Sequence, residues 1–285
     1  MDGALSGLRF SLVGPGKVGA SLAHWAVARG ARLEAVAGRT PGTPGVTGLT
    51  TAGQDLLLLA VPDGALPEVA AELARRPQAR VVLHTSGSRP AAVLAPLRPG
   101  SAVGSLHPLK AFPGPLPDPA EARGVFFGVD GDPAAQALAH RLVAAWEGVA
   151  AEIPESARAL YHFAASLAAG GVVSLLALAD ELAGRLGLPP AVGRGYLELA
   201  RGAIVGAAAA LDAGAAVPAL TGPVARGDAG TFLHQVDLLH ELAPEKVPLV
   251  LELARETLRQ QARSGTLQEG QNALLRELDR LSRPI

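Results

Sequence analysis

Residues 8–29, LRFSLVGPGKVGASLAHWAVAR, decide the fold. The stretch begins with a short apolar run, Leu8–Val13, that has the length of a buried strand. From Val18 to Arg29 the apolar residues recur with the spacing of a helix. Between these two patterns lies a complete G-x-G-x-x-G, Gly14–Gly19. A strand, a glycine turn and a helix in this order predict the first part of a βαβ unit.

The glycine spacing indicates a turn that binds a dinucleotide. Gly14 permits a tight turn, Gly16 lets the backbone approach a pyrophosphate, and Gly19 lets the helix pack closely on the strand. The first N–H groups of the helix have no acceptor within the helix and are available to phosphates. The residues expected to contact the dinucleotide at this turn are Gly14, Pro15, Gly16, Lys17, Val18 and Gly19.

The end of the second apolar run distinguishes the two nicotinamide dinucleotides. An NAD site usually has Asp or Glu about 20 residues after the turn, where it binds the ribose 2′-OH. Here the sequence reads Gly38-Arg39-Thr40, and Glu34 lies too early, inside the predicted strand. A guanidinium matches a 2′-phosphate and a hydroxyl can add a further donor. Arg39 and Thr40 therefore favour NADP over NAD.

Further apolar runs of strand length alternate with helical patterns up to about residue 150. The runs are 33–37, 55–61, 80–83, 101–105 and 124–129, and the helical patterns are 65–75 and 134–146. After Pro154 only helical patterns follow, at 155–186, 190–213, 229–242, 246–264 and 266–282. We therefore predict an α/β fold, with a doubly wound, mostly parallel sheet in residues 1–153 and an all-α domain in residues 154–285.

Composition excludes several classes of function. With 25 basic and 26 acidic residues the net charge is −1, which disfavours nucleic-acid binding. The absence of cysteine removes disulfides, thiolate zinc sites, cysteine nucleophiles and Fe–S clusters. His234, Asp237 and His240 do not converge on one helix face, so no metal site is predicted.

We also predict neither a signal peptide nor a membrane span. The N-terminus lacks a basic region. Residues 159–179 carry no Asp, Glu, Lys or Arg, but they contain His162, two serines and a glycine pair, and the flanking loops show no bias toward positive charge. We interpret this stretch as a buried helix and expect a cytoplasmic protein.

Polar residues follow three of the predicted strands, at the sheet edge where doubly wound folds bind ligands. They are Val61-Pro62-Asp63, residues 84–88 (HTSGS) and residues 107–110 (HPLK). The expected cofactor contacts are Val61, Pro62, Thr85 and Ser86, and the expected substrate contacts are His84, Lys110 and, in the later loop TGPVARGD, Arg226. The alternative for His84 and His107 is a hydrogen-bonded structural role, and for Arg226 a solvated turn.

Together these segments resemble an uncharacterised family with a Rossmann-like domain and a C-terminal helical domain of unknown function. It belongs to the superfamily of pyrroline-5-carboxylate reductase, ketopantoate reductase and 6-phosphogluconate dehydrogenase. The resemblance rests on the glycine turn, on residues 84–87, 105–109 and 160–162, and on residues 220–228. It implies an NADP domain, a small-molecule substrate bound between the domains, and a homodimer joined through the helical domain.

The resemblance suggests an oxidoreductase that moves a hydride to or from a small oxo acid, hydroxy acid or imine. The candidate proton donors are His107, His162 and Tyr161. Arg158 stands where Lys is common in the family, and Ala169-Gly170 where Ser-Asn is common. The alternative is therefore a non-catalytic NADP-binding regulator or scaffold. A reductase of a deazaflavin is a third interpretation that comes from the resemblance alone.

Overall fold

The computed structural model describes residues 3–39, 45–214, 220–263, 265 and 267–281. Thr40, one of the expected cofactor contacts, lies outside the described residues.

A seven-stranded sheet has the order β2-β1-β3-β4-β5-β6-β7, and all neighbouring strands are parallel except β5 and β6. The strands are β1 Arg9–Val13, β2 Arg32–Ala37, β3 Leu56–Leu59, β4 Val81–His84, β5 Ala102–Pro108, β6 Phe126–Gly131 and β7 Val149–Glu152. The mostly parallel sheet and six of its strands confirm the prediction from sequence. The seventh, β7, was not predicted because it is short and mostly exposed, without an apolar run.

Ten α-helices lie within the described residues. They are α1 Lys17–Ala28, α2 Leu66–Leu73, α3 Pro133–Ala145, α4 Arg158–Ser166, α5 Val172–Arg185, α6 Ala191–Asp212, α7 Gly222–Arg226, α8 Ala229–Leu242, α9 Val247–Arg263 and α10 Glu269–Leu281. A π-helical stretch, Leu167–Gly171, follows α4. The helices after residue 154 confirm the predicted all-α region.

Alternate residues of the central strands face two separate apolar layers. Leu56 and Leu58 of β3 pack in the layer that contains Trp25 of α1 and Trp146 after α3. Leu57 and Leu59 face the other side of the sheet, toward α2 and the 3₁₀ segment Ala91–Leu97. This period of two, with leucine on both faces, is what a fully buried parallel strand requires.

The chain divides into two compact units, Met1–Gly170 and Gly171–Ile285. The division predicted at residues 153 and 154 follows the last strand, whereas the first unit continues through α4 to Gly170. It does so because Arg158, the first residue of α4, is fully buried beside the sheet. In the second unit an apolar core joins α8, α9 and α10 through residues such as Phe232, Leu258 and Leu278.

The apolar stretch around residues 159–179 is exposed, contrary to the buried helix expected. Within the described residues, the helical run Glu155–Arg185 is long and apolar enough to cross a membrane, by length and composition only. Leu160, Phe163 and Val173 are 72%, 57% and 66% exposed. The prediction of burial was wrong because an apolar pattern shows that a surface favours burial, but not that the same chain buries it.

Candidate active site

The glycine turn has the geometry that its spacing predicted. A Cβ atom on Gly14 would lie 2.3 Å from the carbonyl oxygen of Ala60, and φ of Gly14 is +89°. A Cβ atom on Gly19 would lie 2.2 Å from the carbonyl oxygen of Gly14, so α1 packs against the turn as only glycine allows. At Gly16 a Cβ atom would meet nothing within 4 Å, which leaves open space beside the backbone. This turn can admit a pyrophosphate.

The amino end of α1 is free of competing side chains. Its N-cap residue, Gly16, offers no side-chain hydrogen bond, and the first turn contains no acidic residue. The first N–H groups and the positive end of the helix dipole therefore remain available to an anion.

A first cavity of about 650 Å³ lies beside this turn. Arg39, at the end of β2, is exposed on its wall, as the prediction of a 2′-phosphate contact requires. Two carboxylates, Glu68 and Glu72, also line it, and Glu72 is engaged by Arg75 and Arg76 at 3.1 and 2.9 Å. The remaining lining is the glycine turn with Val61, Pro62 and other apolar residues.

A second cavity, of about 470 Å³, shares Gly16 and residues 60–62 with the first. The structure brings most of the predicted contacts to it. Its lining includes Lys17, Val18, Val61, Pro62, Thr85, Ser86, His107, Lys110 and His162. The two cavities therefore form a continuous lining at the carboxyl edge of the sheet, from Arg39 to the histidines.

Three predicted catalytic side chains are in contact at the second cavity. The Tyr161 hydroxyl lies 2.9 Å from Nδ1 of His107, and the His107 and His162 rings are 5.5 Å apart in an edge-on arrangement. Both rings press against Gly87, because a Cβ atom there would lie 2.6 Å from Nε2 of His107 and 2.5 Å from Nδ1 of His162. Nδ1 of His162 is buried and has no hydrogen-bond partner among the described residues. The site thus presents two imidazole nitrogens at one point.

The charge state of His107 follows from its surroundings. Burial, with the nearby His162 ring and the guanidinium of Arg158, lowers the pKa of His107 to about 4. Burial also raises the pKa of the Tyr161 hydroxyl above its ordinary value, opposed by Arg158. At neutral pH, His107 is therefore a neutral imidazole and Tyr161 keeps its proton.

A buried ion pair holds α4 against the sheet. Nε of Arg158 lies 3.1 Å from Oδ2 of Asp130, and the two side chains are 1% and 10% exposed. Arg158 also donates to the hydroxyl of Ser105 and, at 3.2 Å, to the carbonyl oxygen of Ser86. One side chain thus connects α4, the end of β6, β5 and the turn after β4. Arg158 positions the turn that carries Gly87, and its guanidinium is not directed at a substrate.

His84 is not brought to the cavities, contrary to the expected substrate contact. Its side chain is fully buried. Its Nε2–H donates to the carbonyl oxygen of Pro90 at 3.3 Å, and its Nδ1 accepts from the N–H of Ser86 at 3.2 Å. Burial and the charge of Arg158 lower the pKa of His84 to about 4. His84 therefore has the structural role that was the alternative: through these two hydrogen bonds it holds the turn after β4 in place.

The two predicted anchors of a substrate carboxylate have different surroundings. Lys110 lines the second cavity, but its Nζ lies 2.9 Å from Oε2 of Glu121, which already balances its charge. Arg226 is exposed at the end of α7 in the second unit. There, Gly227 has φ of +71°, and a Cβ atom on it would lie 2.6 Å from the backbone nitrogen of Gln271 of α10. The glycine in this motif thus has a packing role.

From sequence, Asp63 was placed at the sheet edge without a role of its own, and Gly128 was missed. Asp63 accepts a hydrogen bond from Ser88 at 2.5 Å; burial opposes its ionisation, but bonds from Ser88 and Ser86 hold its pKa below the ordinary value. Gly128 of β6 leaves room for the Tyr161 hydroxyl, which would lie 2.9 Å from a Cβ atom there. Gly128 could have been found from sequence, because a glycine inside a predicted strand often indicates that another group approaches the backbone closely.

Comparisons with known proteins agree with the resemblance seen in the sequence. A family model described as a Rossmann-like domain matches residues 5–108, and one described as a domain of unknown function, DUF2520, matches residues 125–265. No curated protein matches the chain in sequence.

Solved structures share the fold at low sequence identity. A Bacteroides fragilis protein provisionally named an NADP oxidoreductase is 18% identical, with a TM-score of 0.68 over 89% of this chain and 98% of that chain. The imine reductase of Myxococcus stipitatus, in complex with NADP⁺, is 16% identical, with a TM-score of 0.59 over 95% and 99%. The Plasmodium falciparum pyrroline carboxylate reductase with NADP bound is 12% identical, with a TM-score of 0.53 over 88% and 98%. The two family models, matched at residues 5–108 and 125–265, identify the chain as a Rossmann-like domain followed by a DUF2520 domain.

Proposed function

We propose that the chain is an NADP-dependent oxidoreductase that transfers a hydride to or from a small oxo acid, hydroxy acid or imine. The observation that carries this proposal is the pair of adjoining cavities at the carboxyl edge of the sheet. The glycine turn and Arg39 line one, and His107 and His162 line the other. The names of the imine reductase and the pyrroline carboxylate reductase, both solved with NADP, support the same class of reaction.

The residues of the first cavity fit a phosphorylated dinucleotide. The open face of Gly16 and the amino end of α1 would bind the pyrophosphate. The exposed guanidinium of Arg39 would pair with the 2′-phosphate. When bound, such a cofactor supplies the two electrons of a reduction as a hydride, or accepts them in the reverse direction.

The residues of the second cavity suit the proton and charge requirements of that reaction. A carbonyl or imine that gains a hydride develops negative charge on its oxygen or nitrogen and takes up one proton. His107 and His162 line this cavity, and a ring nitrogen of each lies against Gly87. Arg158, which is tied to Asp130, keeps the turn and α4 in register but donates no proton, because a guanidinium stays protonated at neutral pH.

The substrate side of the site is lined by small side chains. A third cavity, of about 490 Å³, extends from His107 and His162 along residues 165–170, which include Ala165, Ser166 and Ala169. Because Glu121 already balances the charge of Lys110, the small side chains of this lining favour a compact substrate over a highly charged one. Arg226 remains a proposed anchor.

Thermal unfolding with NADPH, with NADH and with neither tests the cofactor. A ligand at about 100 times its Kd adds about 2.7 kcal/mol, which shifts the Tm of a unit of this size by about 5–10 °C. We expect NADPH to stabilise the protein more than NADH, and Arg39→Ala to remove the difference. Arg32→Ala is the matched control, because its side chain is 76% exposed and lies at the amino end of the same strand. No shift with either dinucleotide would contradict the proposal.

Absorbance of NADPH during incubation with small oxo acids and cyclic imines tests the reaction. Oxidation of NADPH by one class, lost in His162→Ala, would support an enzyme. A full NADPH-dependent shift of the Tm without turnover of any compound would instead favour the non-catalytic regulator or scaffold.

We also propose that two copies of the chain associate through the second unit. Helix α6 spans 22 residues and none of them is buried. Leu199, Ile204 and Val205 are 72%, 53% and 68% exposed. Exposed apolar residues at this density support an interface between subunits.

A further inference from the structure

We propose that Tyr161 is a positioning residue that holds His107 in one tautomer, with the imidazole proton on Nε2. In this arrangement the Tyr161 hydroxyl donates to Nδ1, and the Nε2–H group binds the reacting oxygen or nitrogen of the substrate. The tautomer of His107 depends on the chain alone. The hydrogen bond from Nε2–H to a substrate rests on the proposed function.

The direction of the hydrogen bond follows from the partners of each group. Oη of Tyr161 and Nδ1 of His107 are 2.9 Å apart, and the two rings meet edge-on at 85°. Nδ1 is the one hydrogen-bond partner of the Tyr161 hydroxyl among the described residues. If Nδ1 carried the proton, the hydroxyl hydrogen would have no acceptor in the described part of the site. Donation from Oη to Nδ1 satisfies both groups.

The backbone places the hydroxyl directly opposite His107. Gly128 of β6 is the antiparallel partner of His107 of β5. A Cβ atom on Gly128 would lie 2.9 Å from Oη of Tyr161, so a side chain at this position would displace the hydroxyl. The ion pair of Arg158 with Asp130 of β6 fixes the first turn of α4, and Tyr161 lies one turn further along the same helix. The contact is therefore built by two strands and one helix.

The other ring nitrogen of His107 lies against Gly87, and both residues line the second cavity. Nε2 lies 2.6 Å from the position of a Cβ atom on Gly87, and no described residue accepts a hydrogen bond from it. Nδ1 of His162 converges on the same position at 2.5 Å. A substrate heteroatom in the cavity would thus meet the Nε2–H group of His107, whereas Nδ1 of His162 is enclosed and has no hydrogen-bond partner among the described residues.

His107 acts in this arrangement as a neutral donor. The charged and titratable groups around it are Tyr161, His162 and Arg158 on α4, Asp63 after β3, His84 on β4 and Lys110 after β5. Burial and the cations among them hold the pKa of His107 at about 4, with Asp63 acting in the opposite direction. Above about pH 6 the ring is neutral and has one N–H. That N–H stabilises negative charge on the substrate through a hydrogen bond, and the proton that the reduced product takes up comes from solvent water.

Nitrogen NMR of the full chain, labelled with ¹⁵N-histidine, tests the tautomer directly. Long-range ¹H–¹⁵N correlations distinguish a ring with the proton on Nε2 from one with the proton on Nδ1. The signals of His107 are identified by their absence in His107→Gln. We expect the proton on Nε2 and no titration of these signals between pH 6 and 9. A proton on Nδ1, or a midpoint within that range, would overturn the proposal without any further variant.

Tyr161→Phe tests the positioning role, with Tyr196→Phe as the matched control because Tyr196 lies on α6 in the second unit. We expect Tyr161→Phe to move both nitrogen signals of His107 toward the average of two exchanging tautomers, and Tyr196→Phe to leave them in place. Unchanged signals in Tyr161→Phe would show that another group sets the tautomer, and would overturn the inference.

Kinetics with a substrate found in the oxidation screen test the use of the tautomer. Removal of one such donor lowers kcat by about 100-fold or more, so we expect this of His107→Gln. Tyr161→Phe should lower kcat and leave KM nearly unchanged, and the double variant should be no slower than His107→Gln. Additive losses would show that Tyr161 acts on the substrate independently. If no substrate is found, the proposed function fails, while the NMR result still decides the tautomer.

Discussion

The ion pair of Arg158 and Asp130 makes the strongest stability prediction. Asp130→Asn neutralises the carboxylate without changing its shape. It leaves a guanidinium that is 1% exposed with no opposite charge, and weakens acceptance from the Ser105 hydroxyl at 2.5 Å and the Ala91 N–H at 3.0 Å. Removal of one partner of a buried pair destabilises a protein by about 3–5 kcal/mol. For a unit of this size that corresponds to a fall in Tm of about 6–20 °C.

Tryptophan fluorescence is the assay of choice, because both tryptophans of the chain, Trp25 and Trp146, lie buried in the first unit. Urea and thermal unfolding followed by this signal report on the unit that contains the ion pair. The control is Arg123→Gln in the same unit, because its side chain and that of its partner Glu147 are 68% and 45% exposed. An exposed pair of this kind contributes at most about 1 kcal/mol.

A double variant refines the reasoning. Asp130→Asn combined with Arg158→Met removes both charges, so the penalty for an unpaired buried cation disappears. We expect the double variant to be more stable than Asp130→Asn alone. A loss below about 1 kcal/mol in Asp130→Asn, or a double variant that is less stable still, would refute the assignment of Arg158 as a buried charge that depends on Asp130.

Three further results are expected. The pKa values of His84 and His107 are about 4 in the folded chain, below the ordinary 6.5, so the unfolded state binds more protons between these values. Their contribution to the free energy of unfolding should be complete above about pH 6.5 and be lost as the pH falls toward 4. The loss should amount to at most about 1.4 kcal/mol per pH unit for each histidine. Urea unfolding at pH 7, 5.5 and 4.5 measures this change in the free energy of unfolding. Gly87→Ala would place a Cβ atom within 2.6 Å of two imidazole nitrogens, and should lower turnover at least about tenfold while NADPH still raises the Tm. Leu199→Asp, at a side chain that is 72% exposed on α6, should convert a dimer to a monomer in light scattering.

Each of these has its own control or opposite outcome. A free energy of unfolding that increases as the pH falls from 6.5 to 4.5 would show that the histidines are not buried as neutral groups. Gly64→Ala is the control for Gly87→Ala, because its Cβ atom would meet nothing within 4 Å. Val149→Asp, at a residue of the first unit that is 56% exposed, should leave the dimer intact. A wild-type chain that is monomeric at all concentrations would contradict the proposed interface.

Local chemistry in the sequence predicted much of the first unit. The turn at Gly14–Gly19 could be recognised because a positive φ and close backbone approach require glycine whatever surrounds it. The central strands could be recognised because burial on both faces requires a continuous apolar run.

The contacts that make the candidate site depended on tertiary structure. His107 and Gly128 are opposite each other in the sheet because β6 runs antiparallel to β5. No local sequence pattern predicts this reversal of strand direction. Arg158 and Asp130 pair across 28 positions of sequence, and the histidine at the end of β4 is buried while the one in β5 reaches the cavity. The sequence by itself determined six of the seven strands, most of the longer helices and the glycine turn, because these depend on neighbours along the chain. Only the tertiary structure decided which histidine faces a ligand, because burial and partnership are set by segments that are distant in sequence.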